Sequence, residues 1–250
     1  SIDLPFIEWF GLSVSNTMYN YFTPLRGGMA IRAYYLKKKY DFSYTNYISY
    51  LSGYFVINFL IAASISFFSA LFLYNKSVVS YSLIIYLLII VSVLAAIIGL
   101  SMFSNIFQNR KSKISILNRI YKALEGVKKY GKNKEIIITI ICIQIAFLIA
   151  MAAKLYFVFL FLDMKVSWIV ILFIQSLLVF SMIISVTPGN LGIKEGIIGL
   201  FSSMLGITTQ DALFGAIIDR AFTILIIMSL GLLFSKLLLD KIDVNAIESK

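Results

Sequence analysis

The sequence predicts an all-α, polytopic membrane protein with two broken or re-entrant helical segments related by a weak internal repeat. Three observations carry this. Of the 250 residues, 60% are hydrophobic and only 14% are charged, and mean hydropathy is +0.91. A soluble domain carries about a quarter charged residues, so the polar surface is too small to cover a water-soluble globule. Stretches with few or no charges recur, each long enough as a helix to cross a hydrocarbon core about 30 Å thick. Two further apolar stretches are interrupted by proline and glycine at matching offsets.

Taken in order, residues 4–14 are apolar but interrupted by Glu8, with no charged segment ahead of them, which does not describe a signal peptide. The chain starts at Ser1, and one or two transmembrane helices are expected before it. The stretch 4–35 is broken at Thr23-Pro24-Leu25-Arg26-Gly27-Gly28. Spans are then expected at 46–73, around Asn58, and at 78–103, which has no charge. Three more are expected at 136–162, containing Gln144 and Lys154, at 166–186, containing Gln175, and at 212–239, containing Asp219, Arg220 and Lys236. Between the last two, 187–206 opens on Thr187-Pro188-Gly189-Asn190-Leu191-Gly192. Proline removes a backbone donor and glycine tolerates left-handed backbone, so both interrupted stretches read as helix, break, helix. Such backbone at membrane depth has to be buried in protein or line a polar cavity. The whole chain, 1–250, reads as one membrane-embedded domain.

Lysine and arginine set the orientation. The loop 104–134 carries nine basic residues against the single acid Glu125, and Lys37-Lys38-Lys39 precedes the first clear span. The turns at 74–77 and 163–165 are poor in charge. Basic loops 37–45 and 104–134 therefore face the cytoplasm, and 74–77 and 163–165 face outside. Within the long loop, Leu117, Ile120, Tyr121, Leu124 and Val127 recur at helical spacing among basic residues. They describe a basic amphipathic cytoplasmic connector, either lying on an anionic leaflet or merely enforcing topology.

Composition also removes functions. There is no histidine, hence no imidazole base and no His-ligated metal, and the lone Cys142 allows neither an internal disulfide nor a thiolate cage. The net charge of +10 points to cytoplasmic loops and anionic lipid rather than to nucleic acid. Gly126 to Asn133 nearly fits a phosphate-binding loop. It has Asn133 where a hydroxyl should hold magnesium, however, and no strand precedes it. Gly192 and Gly196 have the small-residue spacing that packs helices closely.

The two breaks are the informative feature. Thr-Pro opens each, glycine follows proline by four positions at Gly28 and Gly192, and charge follows at Arg32 and at Lys194-Glu195. Paired breaks in the two halves of a membrane protein point to a transport site, where half-helix ends present N–H groups to an anion. Arg26, Arg32, Lys194, Glu195, Asp219 and Arg220 all lie in or near these breaks or in the last span. Charges at that depth mark a pathway or a buried pair. The expectation is that the breaks meet at one polar cavity and that Glu195 pairs with Arg220 at its border.

The stretch Pro24-Leu-Arg26-Gly-Gly28-Met-Ala-Ile-Arg32-Ala33 resembles the first motif of a flippase-like membrane family. That family includes the transmembrane region of lysylphosphatidylglycerol synthetases and stand-alone relatives. Pro188-Gly189-Asn-Leu191-Gly192-Ile-Lys194-Glu195 resembles its second motif, and Arg220 falls where the family places an arginine in its last conserved span. Met29 stands where the family often has an acid. The resemblance implies a multi-pass helical fold with two broken segments, and lipid translocation.

The expected function is movement of an anionic or phosphate-bearing lipid between leaflets of a prokaryotic plasma membrane. In this reading Arg26, Arg32, Lys194 and Arg220 hold the headgroup, and Glu195 orients a basic partner or accepts a cationic moiety. The backbone at Pro24, Gly28, Pro188, Gly189 and Gly192 cradles the polar group. No catalytic residue, metal or cofactor is expected. The alternatives are the membrane part of a lipid-modifying transferase, or a non-catalytic scaffold for such an enzyme.

Overall fold

The computed structural model describes residues 4–103, 126–128, 130 and 134–248, and every regular element among them is helical. The chain runs through α1 (Phe6–Phe22), a 3-10 turn (Pro24–Arg26), α2 (Gly28–Tyr40), α3 (Tyr44–Tyr74), α4 (Tyr81–Phe103) and α5 (Lys134–Phe161). It continues through α6 (Trp168–Leu178), 3-10 segments at Val179–Ile184 and Pro188–Asn190, α7 (Ile193–Leu200), α8 (Ser202–Leu205) and α9 (Thr209–Glu248). Four helices, α3, α4, α5 and α9, are long and apolar enough to cross a membrane. The protein is a multi-pass membrane protein.

The expected span at 166–186 is shorter than its apolar run. It consists of an 11-residue α-helix continued by six residues of 3-10 helix. Serines loosen this end: Ser176 Oγ donates to the Phe173 carbonyl and Ser185 Oγ to the Met182 carbonyl, each at 2.7–2.8 Å, competing with the helical ladder. Thr187-Pro188 then stops the helix. Because 3-10 rises about 2.0 Å per residue, the two pieces together reach roughly 28 Å. The connector expected within 104–134 lies outside the described residues, apart from Gly126–Lys128, Tyr130 and Lys134.

Contacts gather into two compact units. The second comprises Ile48–Phe180 and Ile197–Ala212. Its core is built on the small-residue side of α3, where Ala62, Ala63, Ser66 and Ala70 are buried. Ser66 and Ser176 share a 2.6 Å hydrogen bond, and Tyr54 donates to Gln144 at 3.1 Å. Phe159, Phe173 and Ile174 are fully enclosed. Gly126 lies against α3 so closely that a Cβ there would sit 1.9 Å from the Ser49 carbonyl oxygen. Helix contact accounts for that glycine, with no need of a phosphate loop. A cavity of about 640 Å³ in this unit is lined by residues of 163–165 and 203–211, Asp163, Lys165 and Asp211 among them.

The first unit comprises Ser1–Tyr47, Ser181–Gly196 and Leu213–Lys250, and so contains both breaks. Its spine is α1, against which α2 and the 3-10 turns of both breaks are seated. Leu12, Tyr35, Leu36 and Leu238 form its apolar core. Phe10 stacks edge-on against Phe234, Met18 fills the space over Gly231, and the Tyr19 and Ser235 hydroxyls bond at 2.8 Å.

Candidate functional site

The two breaks repeat one backbone path. Thr23 is extended (φ −109°, ψ 139°), Pro24 opens the turn, and Leu25 and Arg26 are left-handed at φ 54° and 57°. Thr187 is extended (φ −86°, ψ 147°), Pro188 opens the turn, and Gly189 and Asn190 are left-handed at φ 58° and 54°. Left-handed backbone costs a non-glycine residue about 1–2 kcal/mol. Leu25 and Arg26 therefore hold a conformation that their own torsional preference opposes. The turns touch each other, and each touches α1.

Close approach dictates the residues around them. A Cβ at Gly28 would lie 2.1 Å from the Asn16 carbonyl oxygen, so only glycine lets α2 start against α1. The Gly28 N–H donates to Asn20 Oδ1 at 3.1 Å, satisfying one of the orphan donors at the start of α2. Gly189 is fixed twice, by its positive φ and by the Tyr21 ring, 2.8 Å from where a Cβ would be. A Cβ at Gly192 or Gly196 meets nothing within 4 Å. The small-residue packing expected of that pair is thus not found among the described residues, and Gly192 is required by its φ of 84° instead.

The charges form two crossed pairs. Arg220 Nε donates to Glu195, and Lys194 Nζ donates to Asp219. Two consecutive residues at the start of α7 thus meet two consecutive residues of α9. Arg220 also donates to the carbonyls of Gly189, at 3.1 Å, and Asn190, at 3.2 Å, and its guanidinium lies 6.0 Å from the centre of the Tyr21 ring. All three guanidinium nitrogens are engaged, two with carbonyls of the second break and one with Glu195 at the start of α7. The other Glu195 oxygen accepts the Gly192 N–H at 2.9 Å. The expected Glu195–Arg220 pair is present; the Lys194–Asp219 pair was not anticipated. Asp219 is fully buried, so its compensation by lysine is what makes the charge tolerable there.

Arg26 and Arg32 are placed differently. Arg26 Nε donates to Ser185 Oγ at 2.8 Å, and neither arginine has a carboxylate partner among the described residues. Arg32 Nε is buried without a hydrogen-bond acceptor. Glu8, which the sequence left without a role, is buried and receives Lys39 at 2.7 Å and the Tyr40 hydroxyl at 2.5 Å. Burial pushes its carboxyl up, and those hydrogen bonds together with the lysine charge outweigh this, leaving it below its ordinary 4.5. Sequence reasoning missed Ser185 and Tyr21, which lie outside any charged or glycine-rich signal, and gave no role to Asn190, which lies inside the second break.

The geometry is thus that of a polytopic membrane protein with two proline-opened breaks brought together beside charged helices. The chain belongs to the family described as the lysylphosphatidylglycerol synthase TM region, whose model matches residues 1–231. No curated protein and no solved structure matches the chain.

Proposed function

We propose that this protein moves an anionic, phosphate-bearing lipid between the leaflets of a prokaryotic cell membrane. The observation that carries the reading is the meeting of the two breaks on α1, next to cations that lack a carboxylate partner among the described residues. Broken helices at a repeat-like interface are how membrane carriers expose backbone and charge to a polar headgroup without exposing either to hydrocarbon. Arg26 and Arg32 supply the attraction. Arg220, Glu195, Lys194 and Asp219 hold the second break in shape. We read the chain as a carrier rather than an enzyme, because the carboxylates nearest the breaks are engaged in ion pairs instead of standing free for acid–base work.

The test is reconstitution of the full chain in liposomes containing an acyl-labelled fluorescent phosphatidylglycerol, with a membrane-impermeant quencher added outside. Protein-dependent quenching of more than the outer-leaflet half is expected. Quenching that stops at half, with folded protein in the same vesicles, rejects translocation.

A further inference from the structure

Each break is gripped by the residue that leads into the other. With Thr23 aligned on Thr187, Tyr21 falls opposite Ser185, both two positions ahead of the Thr-Pro step. The left-handed residues align likewise, Leu25 with Gly189 and Arg26 with Asn190. The contacts run crosswise between these aligned positions. Tyr21, ahead of the first break, lays its ring on Gly189 of the second, with Cδ1 2.8 Å from where a Cβ would be. Ser185, ahead of the second break, accepts Arg26 Nε of the first at 2.8 Å and gives its own proton to the Met182 carbonyl. Lead-in and turn of one half thus meet turn and lead-in of the other, the reciprocity that a two-fold axis imposes on an interface. All of these residues belong to the first unit.

Both grips are anchored in their own halves. Tyr21 lies in the last turn of α1, which Thr23 closes: its N–H and its Oγ1 both donate to the Tyr19 carbonyl, at 2.9 and 2.6 Å. Gly27 folds back on Thr23 so closely that a Cβ there would sit 2.6 Å from Oγ1. A swing of the first break therefore pulls on the turn that carries Tyr21. On the other side, the Gly189 carbonyl accepts Arg220 at 3.1 Å, and that guanidinium lies 6.0 Å from the centre of the Tyr21 ring. The ring thus borders both the second break and the residue that clamps it. Packed elements of this kind shift between discrete arrangements instead of deforming continuously.

We propose that Tyr21 and Ser185 are reciprocal positioning residues that couple the two breaks, so that a shift of either turn is passed to the other and the two open as one gate. The use of the gate rests on the translocation reading. The coupling does not, and it is measured without transport.

The experiment is hydrogen–deuterium exchange of the full chain in nanodiscs, read over peptides covering 23–28 and 187–192. Each break is loosened in turn. Asn20→Ala removes the acceptor of the Gly28 N–H, and Arg220→Lys releases the carbonyls of Gly189 and Asn190. Either change is expected to speed exchange about threefold or more at both breaks, the scale of one hydrogen bond's net worth. In a Tyr21→Leu/Ser185→Ala background the effect is confined to the break that was loosened. Tyr21→Phe/Ser185→Thr, which keeps the ring and the acceptor oxygen, preserves the transmitted effect. Ser185→Ala alone, a small change at a half-buried position, diminishes it. Transmission that is absent from the native background, or that survives Tyr21→Leu/Ser185→Ala undiminished, overturns the proposal. So does its loss in the Phe/Thr pair, or an undiminished effect in Ser185→Ala should the Leu/Ala pair not fold. In the liposome assay the Leu/Ala pair is expected to slow translocation on the order of fivefold, within the range for residues that couple two sites. Translocation at the native rate by that pair, folded, also overturns the gate. Transmission between the breaks in a chain that moves no lipid leaves the coupling standing and rejects translocation.

Discussion

Arg220 spends all three guanidinium nitrogens on the protein, one on Glu195 and two on the carbonyls of the second break. It acts as a clamp on the turn at 188–190. Glu195 receives from Arg220 and from the Gly192 N–H, so it joins the clamp to the start of α7. Removing one partner of such a pair leaves an uncompensated buried charge, at a cost of about 3–5 kcal/mol. Glu195→Gln is therefore expected to lower the thermal midpoint in detergent more than the double variant Glu195→Gln/Arg220→Gln does. Strictly additive losses in that cycle would show the two side chains to be uncoupled. Glu8 allows a pH test. Its folded carboxyl titrates below its ordinary 4.5, so its contribution is present above that value and is lost as pH falls through the depressed one. Between about pH 6 and about pH 3, the stability gap between the native chain and Glu8→Gln should close. A gap that widens on acidification contradicts the Lys39–Glu8 assignment. The sequence made Glu195, Asp219 and Arg220 visible as charges out of place. It pointed to the Glu195–Arg220 pair but not to Lys194–Asp219, because the second contact depends on the register of α7 against α9, which no local pattern encodes.

At the scale of elements, the breaks were legible and the helix between them less so. Proline and glycine act on the two or three residues beside them, so Thr23–Gly28 and Thr187–Gly192 announce themselves. The 3-10 winding of Val179–Ile184 comes from serine hydroxyls returning to the carbonyls of their own turn, a choice that an apolar run does not advertise. Glycine spacing misled at Gly196 because close packing needs a neighbour, and the described residues provide none there. The difference between glycines is measurable. Gly28→Ala puts a methyl group 2.1 Å from a backbone oxygen of α1 and should destabilise by about 3 kcal/mol or more, since backbone cannot move aside as a side chain does. Gly196→Ala lies inside α7 with open space around it and should stabilise by about 0.5–1 kcal/mol. Thermal midpoints of the two variants in one detergent check both signs. Equal losses would mean that the α1–α2 contact does not limit stability.

The whole molecule is ordered across the membrane by charge. Lys37, Lys38 and Lys39 end α2, and the loop 104–134 carries nine cations, whereas the turn after α3 has only Lys76, and the turn after α5 sets Asp163 against Lys165. Two long helices, α3 and α4, separate the first basic segment from the second, an even number of crossings that returns the chain to the side it left. We propose that the basic segments share the cytoplasmic side, which the negative surface potential of that leaflet, worth about 1 kcal/mol per nearby cation, would select. The prediction follows in a Cys142→Ser background, which removes the exposed native thiol. A cysteine at Asn75, in the exposed turn after α3, should react with an impermeant maleimide added to intact cells. A cysteine at Ser112 should react only after the membrane is opened. Asn75 shielded with Ser112 open would invert the chain and place the triple lysine outside. Labelling of both from outside would mean that α4 does not cross, although nothing in its sequence is charged between Tyr81 and Phe103.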